Sequence, residues 1–200
     1  MRAPLPELLE SLAYIFGTPG GFPRETFAAT ASAKWASRRL ATALRRLAEA
    51  PLEGLDVAYA DHFLYSSWQP VLHLEASVYR HGHLCDQDIL ADLKDLHRRM
   101  GVSLPPGRCP DHLASGLESL ARGLRNLGGR GWSREREAAV RTFAHRHLLP
   151  QAKGLLRVGN QRPMHPVFEG ALEAVALVVA EILEALSEDT AFTCRPSCTS

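Results

Sequence analysis

The sequence predicts an all-α protein, a single-domain helical bundle of about seven or eight helices. Apolar residues recur at helical spacing in nearly every long segment, and no run alternates between apolar and polar as a strand does. Glycine and proline clusters separate these segments, and no repeat indicates a solenoid. The 200 residues are enough for one well-buried domain. We expect this domain over residues 1–187 and a mobile C-terminal tail over residues 188–200.

The first hundred residues contain four predicted helices. Helical periodicity covers residues 6–16, 24–49 and 53–65. A fourth helix begins where Asp86 or Asp88 caps it and stops at Gly101, because Asp favours helix starts and Gly favours helix ends. Residues 66–82 show no helical pattern, so we expect them to be irregular.

The second hundred residues contain three more predicted helices. Residues 110–127 form one, with an Asp near its start that can accept hydrogen bonds from unpaired backbone N–H groups. Ser133 caps the next, which Pro150 ends or kinks at about residue 149, and a less regular piece follows to residue 163. The last helix, over residues 165–186, is apolar around more than half of its circumference. We therefore expect it at the centre of the bundle.

The charge balance and hydropathy exclude several classes of protein. The net charge of +1 provides no overall field for nucleic acid or for an anionic membrane. No run reaches the roughly 20 apolar residues of a membrane span, and no signal-peptide pattern opens the chain. We expect a cytoplasmic protein without nucleic acid or direct membrane insertion, either a monomer or a homodimer.

Catalytic sequence patterns are absent: there is no GxSxG, GxGxxG, phosphate-binding loop or HExxH. We therefore predict no catalytic residue, no cofactor and no metal site. One alternative is a helical metal-dependent enzyme that uses His81, His83, His112 and a cysteine. The other is a regulatory helical module that binds a folded protein through the basic strip over residues 38–46. In the first alternative the histidines bind a metal ion, and in the second the arginines bind a protein partner. In both, these side chains would otherwise belong to the solvated surface.

Acidic and aromatic residues recur together between residues 56 and 88. A groove lined by aromatic side chains and rimmed by carboxylates suits a peptide that has arginines beside an apolar stretch. The acids are Asp56, Asp61, Glu75, Asp86 and Asp88. The predicted peptide-binding residues are Tyr59, Phe63, Tyr79, Pro110, Asp111 and His112, with Leu117 and Glu118 as support.

Four short motifs over residues 53–150 resemble one known family, the redox-enzyme maturation chaperones of the TorD/DmsD/NarJ type. They are Tyr59-Ala-Asp-His-Phe63, Pro70 with Glu75-Ala-Ser-Val-Tyr79 and Gly82, Pro110-Asp-His-Leu113 with Leu117-Glu118, and His147-Leu-Leu-Pro150. The chain departs from the family pattern at His62, Arg108, Ser119-Leu120 and Gln151, where Leu, Glu, an aromatic-Met pair and Trp are usual.

The resemblance implies a TorD-like all-helical fold without enzyme activity. It also implies a client: the N-terminal leader, often a twin-arginine leader, or the catalytic subunit of a molybdopterin-containing oxidoreductase. The chaperone would hold this client until the cofactor is inserted. Asp111 would attract the arginines of the leader or set the charge of His112, and the aromatic side chains would hold its apolar part.

Overall fold

The computed structural model describes residues 5–17, 22–64, 72–82, 86–128, 132–159, 161 and 163–192, with the backbone alone at residues 80, 81 and 188–192. Within these ranges the fold is all-α and has no strand, as predicted. Among the described residues, an isolated antiparallel β-bridge joins Glu75 and His112. None of the described helices is long and apolar enough to cross a membrane.

The described residues form more helices than the seven or eight expected. In chain order they are α1 (Leu5–Gly17), α2 (Arg24–Ala31), α3 (Arg38–Glu49), α4 (Leu55–Tyr59), α5 (Ala76–His81), α6 (Gln87–Met100), α7 (Leu113–Leu127), α8 (Arg134–Phe143), α9 (Leu149–Gly159) and α10 (Pro166–Phe192). A first π turn, Ala60–Leu64, continues α4, and a second, Ala144–Leu148, joins α8 to α9.

The core lies between α10 and the helices around it. α10 packs against α1, α3, α8 and α9, so its predicted central position is confirmed. On another side of the bundle α1 lies along α7, and α6 lies along α8. The largest fully buried side chains come from four different helices: Phe16, Phe27, Phe143 and Phe168. Burial of apolar side chains from so many helices makes this one continuous hydrophobic core.

The prediction of one helix over residues 24–49 is wrong, because the segment forms α2 and α3 with a connection between them. Ser37 begins α3: its side chain accepts a hydrogen bond from the backbone N–H of Leu40 at 3.2 Å. Serine competes for backbone N–H groups in this way, which favours a new helix start over a continuous helix. Trp35 lies in this connection.

Two segments expected to be irregular contain helices. α5 lies within residues 66–82, and α9 occupies most of residues 150–163. Pro150 lies at the second position of α9, directly after the second π turn, so the helical run that begins with α8 continues through it. Within residues 53–65, helical structure is confirmed as α4 and the first π turn up to Leu64, and residues 65–71 lie outside the described ranges.

The last helix is longer than its apolar pattern indicates. α10 continues to Phe192, so the first residues of the segment 188–200 are helical and not part of a patternless tail. Residues 193–200 lie outside the described ranges.

Candidate functional site

Asp111 lies in the interior just before α7, with 2% of its surface exposed. One carboxylate oxygen, Oδ2, accepts a hydrogen bond from the Ser77 hydroxyl at 2.8 Å. The other, Oδ1, accepts from the Cys109 thiol at 2.8 Å. The expectation that Asp111 caps the helix is therefore wrong. Its carboxylate faces the start of α5 and the loop that contains Cys109, so it is not presented to solvent where a peptide arginine would meet it.

His112 is the residue that caps α7. Its Nδ1 accepts a hydrogen bond from the backbone N–H of Ala114 at 3.2 Å, which requires that nitrogen to be unprotonated. Burial lowers the pKa of His112; the negative charge of Asp111 opposes this, and the positive charge of Arg108 adds to it. Capping and burial thus both favour the neutral imidazole.

Backbone hydrogen bonds tie the start of α7 to residues 74–76, and a side chain of α9 joins both. The N–H of Ala76 donates to the Asp111 carbonyl at 2.8 Å, and the N–H of Leu113 donates to the Leu74 carbonyl at 2.7 Å. The Gln151 side-chain amide of α9 donates to both carbonyls, at 2.6 Å to Leu74 and 3.1 Å to Asp111. We call these residues, with Ser77, the three-segment clamp.

Gln151 was not among the predicted site residues. A buried amide requires hydrogen-bond partners, and the two carbonyls of the clamp provide them. A signal was present in the sequence, since Gln151 follows Leu148 by three residues and precedes Leu155 by four. This spacing places Gln151 on the buried face of a helix.

Tyr59, Phe63 and Leu117 are core residues. The Tyr59 hydroxyl donates to the Phe16 carbonyl of α1 at 3.0 Å. The Phe63 ring meets Phe16 and Phe168 edge to face, with centroids 6.1 and 5.0 Å apart. Leu117 is fully buried. The aromatic pair joins α4, its π turn, α1 and α10, so it does not line an open groove.

Tyr79, Pro110 and Glu118 are partly accessible. The Tyr79 ring lies directly over Gly154 of α9, where an added Cβ would come within 2.5 Å of the ring. Glu118 forms an ion pair with Arg108 at 3.4 Å. This part of the predicted site therefore lies at the edge of the clamp.

Glu75 is the predicted acid that the fold brings to the tyrosines. Burial raises its pKa, the charge of Asp111 adds to this, and His73, whose Nδ1 lies 3.9 Å from a carboxylate oxygen, lowers it. The charge of Glu75 in turn contributes to raised pKa values of Tyr59 and Tyr79, for which burial is the larger cause. A half-buried carboxylate therefore lies within electrostatic reach of two tyrosines and Asp111.

The solvent side of α4 and its π turn combines acids with large apolar side chains. Val57 is 64% exposed and Leu64 52%. None of the acids there forms an ion pair in the described part of the chain. We call this surface the acidic–apolar face; it comprises Leu52, Glu53, Asp56, Val57, Asp61 and Leu64. The N–H of Leu72 donates to the His62 carbonyl at 3.0 Å and so links this face to the segment that contains Glu75.

The other two acids of the sequence cluster lie at the start of α6. Asp86 caps this helix by accepting from the N–H groups of Asp88 and Ile89, both at 3.0 Å. Of the two predicted caps, Asp86 is the one that acts. Asp88 lies exposed in the first turn.

The histidines do not assemble a metal site in the part of the chain that the structure describes, where no group of three or more candidate ligands occurs. His83 and Cys85 of the alternative metal hypothesis lie outside the described residues. His147 is buried, and its Nε2 lies 2.9 Å from Asp92 Oδ2.

Comparison with protein families shows a match to the family described as nitrate reductase delta subunit over residues 28–156. The chain belongs to this family. The match confirms the resemblance to redox-enzyme maturation chaperones, a non-catalytic family that acts in molybdoenzyme maturation. No curated protein and no solved structure matches the chain. The matched segment of this delta-subunit family member contains the clamp, the acidic–apolar face and all eight predicted site residues, whereas α1 and α10 lie outside it.

Proposed function

We propose that this delta-subunit family member is a cytoplasmic, client-specific chaperone for a molybdopterin-containing oxidoreductase. It binds the N-terminal leader of the catalytic subunit, of the twin-arginine type, and holds it until the cofactor is inserted. The observation that carries the proposal is the acidic–apolar face, because unpaired carboxylates there lie beside exposed Val57 and Leu64.

The chemistry of this face complements that of a leader. A leader has a basic start and an apolar middle. Planar guanidinium groups pair well with carboxylates such as Asp56 and Asp61. Burial of a large apolar side chain contributes about 1.5–3 kcal/mol before the ordering cost of the peptide is subtracted. Charge pairing adds specificity and association rate more than affinity, which suits reversible binding before handover.

The predicted site residues take two roles in this proposal. Asp111, Tyr59, Phe63 and Leu117 support the surface from inside. The partly accessible residues extend it beyond the acidic–apolar face and past the clamp: Glu75, Tyr79, Pro110, His112 and Glu118. Glu75 then provides a further carboxylate for the arginines of the leader.

Calorimetry with a synthetic twin-arginine leader peptide tests the proposal. We expect Val57→Ser with Leu64→Ser to weaken binding at least about tenfold, which is the loss of one or two apolar contacts. Asp56→Asn with Asp61→Asn is expected to weaken binding less, about threefold to tenfold, because exposed ion pairs contribute little affinity. The matched control is Tyr14→Ser with Glu25→Gln, an exposed aromatic and an exposed acid on α1 and α2. Unchanged affinity in both face variants would exclude this surface as the leader site.

A further inference from the structure

The solvent side of α3 carries a concentrated positive charge. Four exposed arginines, Arg38, Arg39, Arg45 and Arg46, form what we call the arginine face. With Glu49, the charged residues of α3 give this helix a net charge of +3, whereas the whole chain has +1. The remainder of the molecule is therefore net negative, and α3 is a local basic region on it.

Most of this charge is available to a ligand. Arg46 holds Glu173 of α10 through two hydrogen bonds from Nη2, at 2.8 and 3.0 Å. Arg38 and Arg39 have no ion-pair partner in the described ranges, and Arg45 only donates from Nε to the Ala41 carbonyl at 3.2 Å. Three of the four guanidinium groups thus keep their capacity to bind a carboxylate.

The spacing of the arginines indicates the shape of the ligand. Arg38 and Arg45 are seven residues apart, as are Arg39 and Arg46, so each pair lies about 10 Å apart along the helix. A second helix laid along α3 presents its own side chains at the same repeat. α10 already does this once, because it packs on α3 and its Glu173 reaches Arg46.

We propose that the arginine face docks an acidic helix of a partner protein, with carboxylates seven residues apart. Guanidinium groups pair with carboxylates in a bidentate geometry, which favours such a helix. A lipid surface is less well matched, because the exposed large apolar residues of the described ranges lie off α3 and leave nothing to insert. This surface differs from the leader site, since a basic leader would be repelled here.

The test is an NMR titration of the full-length protein with a synthetic alanine- and glutamine-based helical peptide that carries glutamates seven residues apart. A peptide of the same composition in scrambled order is the control ligand. We expect shifts confined to α3 and its arginine Nε–H groups, with an affinity about tenfold above that of the scrambled peptide. The shifts are expected to vanish in high salt.

Variants separate this proposal from its rivals. Arg38→Glu with Arg45→Glu is expected to abolish peptide binding, whereas the matched reversal of exposed Arg134→Glu with Arg157→Glu leaves it unchanged. Arg38→Gln with Arg45→Gln removes both positive charges without adding negative ones, and we expect it to weaken peptide binding less than the glutamate variant does. Equal binding of both peptides, no binding, or binding only to vesicles of phosphatidylserine and phosphatidylcholine would overturn the proposal. Leader-peptide affinity is measured in the same variants and is expected to be unchanged, so failure here leaves the proposed function untouched.

Discussion

Asp111 and His112 belong to the motif that resembles the family most closely, and both serve the fold directly. The acid is a buried acceptor for Ser77 and Cys109, and the histidine is a helix cap. A sequence shows that an acid and an imidazole are adjacent, but it does not show which of them faces solvent. That depends on Ser77, Leu74 and Gln151, which come from distant parts of the chain.

Asp111→Ala is expected to destabilise the protein by about 1–3 kcal/mol, because it leaves the buried Ser77 hydroxyl without its acceptor. Urea unfolding measures this loss, and Ser77→Ala combined with Asp111→Ala is expected to cost less than the sum of both single changes. Asp61→Ala is the control, with unchanged stability but weaker leader binding. A fully stable Asp111→Ala protein that fails to bind the leader would instead make Asp111 a direct peptide contact.

Glu75→Gln is expected to stabilise the protein at neutral pH. Burial raises the folded-state pKa of Glu75 above its unfolded value, so ionisation favours the unfolded chain as pH rises. The variant and the parent therefore have the same free energy of unfolding below the unfolded pKa of about 4.5, and the gain in the variant reaches its full size above the folded pKa. Unfolding at pH 4 and pH 7.5 measures it. The same variant is expected to bind the leader more weakly, and a variant that gains stability without losing affinity would remove Glu75 from the site.

At the scale of helices, the apolar periodicity predicts that a helix is present better than it predicts where the helix begins and ends. α1, α6 and α7 lie close to their predicted ranges because each has one long apolar side, whereas α10 continues past its predicted end at residue 186 to Phe192. A serine hydroxyl caps the start of α3, and Pro150, which the sequence offers as a helix end, lies inside α9. Where such helices start and end depends on tertiary packing, which the apolar pattern of the sequence does not contain.

Ser37→Ala is expected to destabilise the protein by about 1 kcal/mol, because the N–H of Leu40 loses its cap acceptor. The control is Ser32→Ala in the same connection. Its hydroxyl donates to the Ala28 carbonyl at 3.2 Å and caps no helix start. Urea midpoints of the two variants provide the comparison, and equal losses would contradict the role of Ser37 as the start of α3.

Gly154→Ala is expected to destabilise the contact between α5 and α9 by about 1–3 kcal/mol, because the added methyl group overlaps the Tyr79 ring at 2.5 Å. Lys153→Ala, at the exposed neighbouring position, is the control. Thermal unfolding measures both. A Gly154→Ala protein as stable as its parent would show that α5 shifts without cost, and the clamp would then be looser than described.

For the whole molecule, three histidines make stability sensitive to acid. Burial lowers the pKa of His62 and His112, and it lowers the pKa of His97 to about 4, with His147 as a second cause at His97. Each folded-state pKa lies below the unfolded value of 6.5. Their contribution is therefore present above pH 6.5 and is lost as pH falls toward the folded pKa values.

Between pH 7.5 and pH 5 the free energy of unfolding of the parent is expected to fall by roughly 2 kcal/mol more than that of His97→Leu. The reason is that only the parent has this buried ring, which takes up a proton on unfolding. Urea unfolding at both values tests this. Leu52→Ala, an exposed position without a titratable group, is expected to keep the parental slope. Parallel slopes for His97→Leu and the parent would mean that His97 is protonated in the folded protein.

The packing of α1 along α7 has a practical consequence for anyone who trims or recombines this chain. α1 lies upstream of residues 28–156, yet Leu8, Leu9 and Leu12 of α1 are fully buried. A fragment that contains only residues 28–156 would expose the side of α7 that these leucines cover, and we expect this fragment to aggregate. To test the proposed leader surface in a relative, single residues should therefore be exchanged, because a segment cut at the family boundaries leaves out α1.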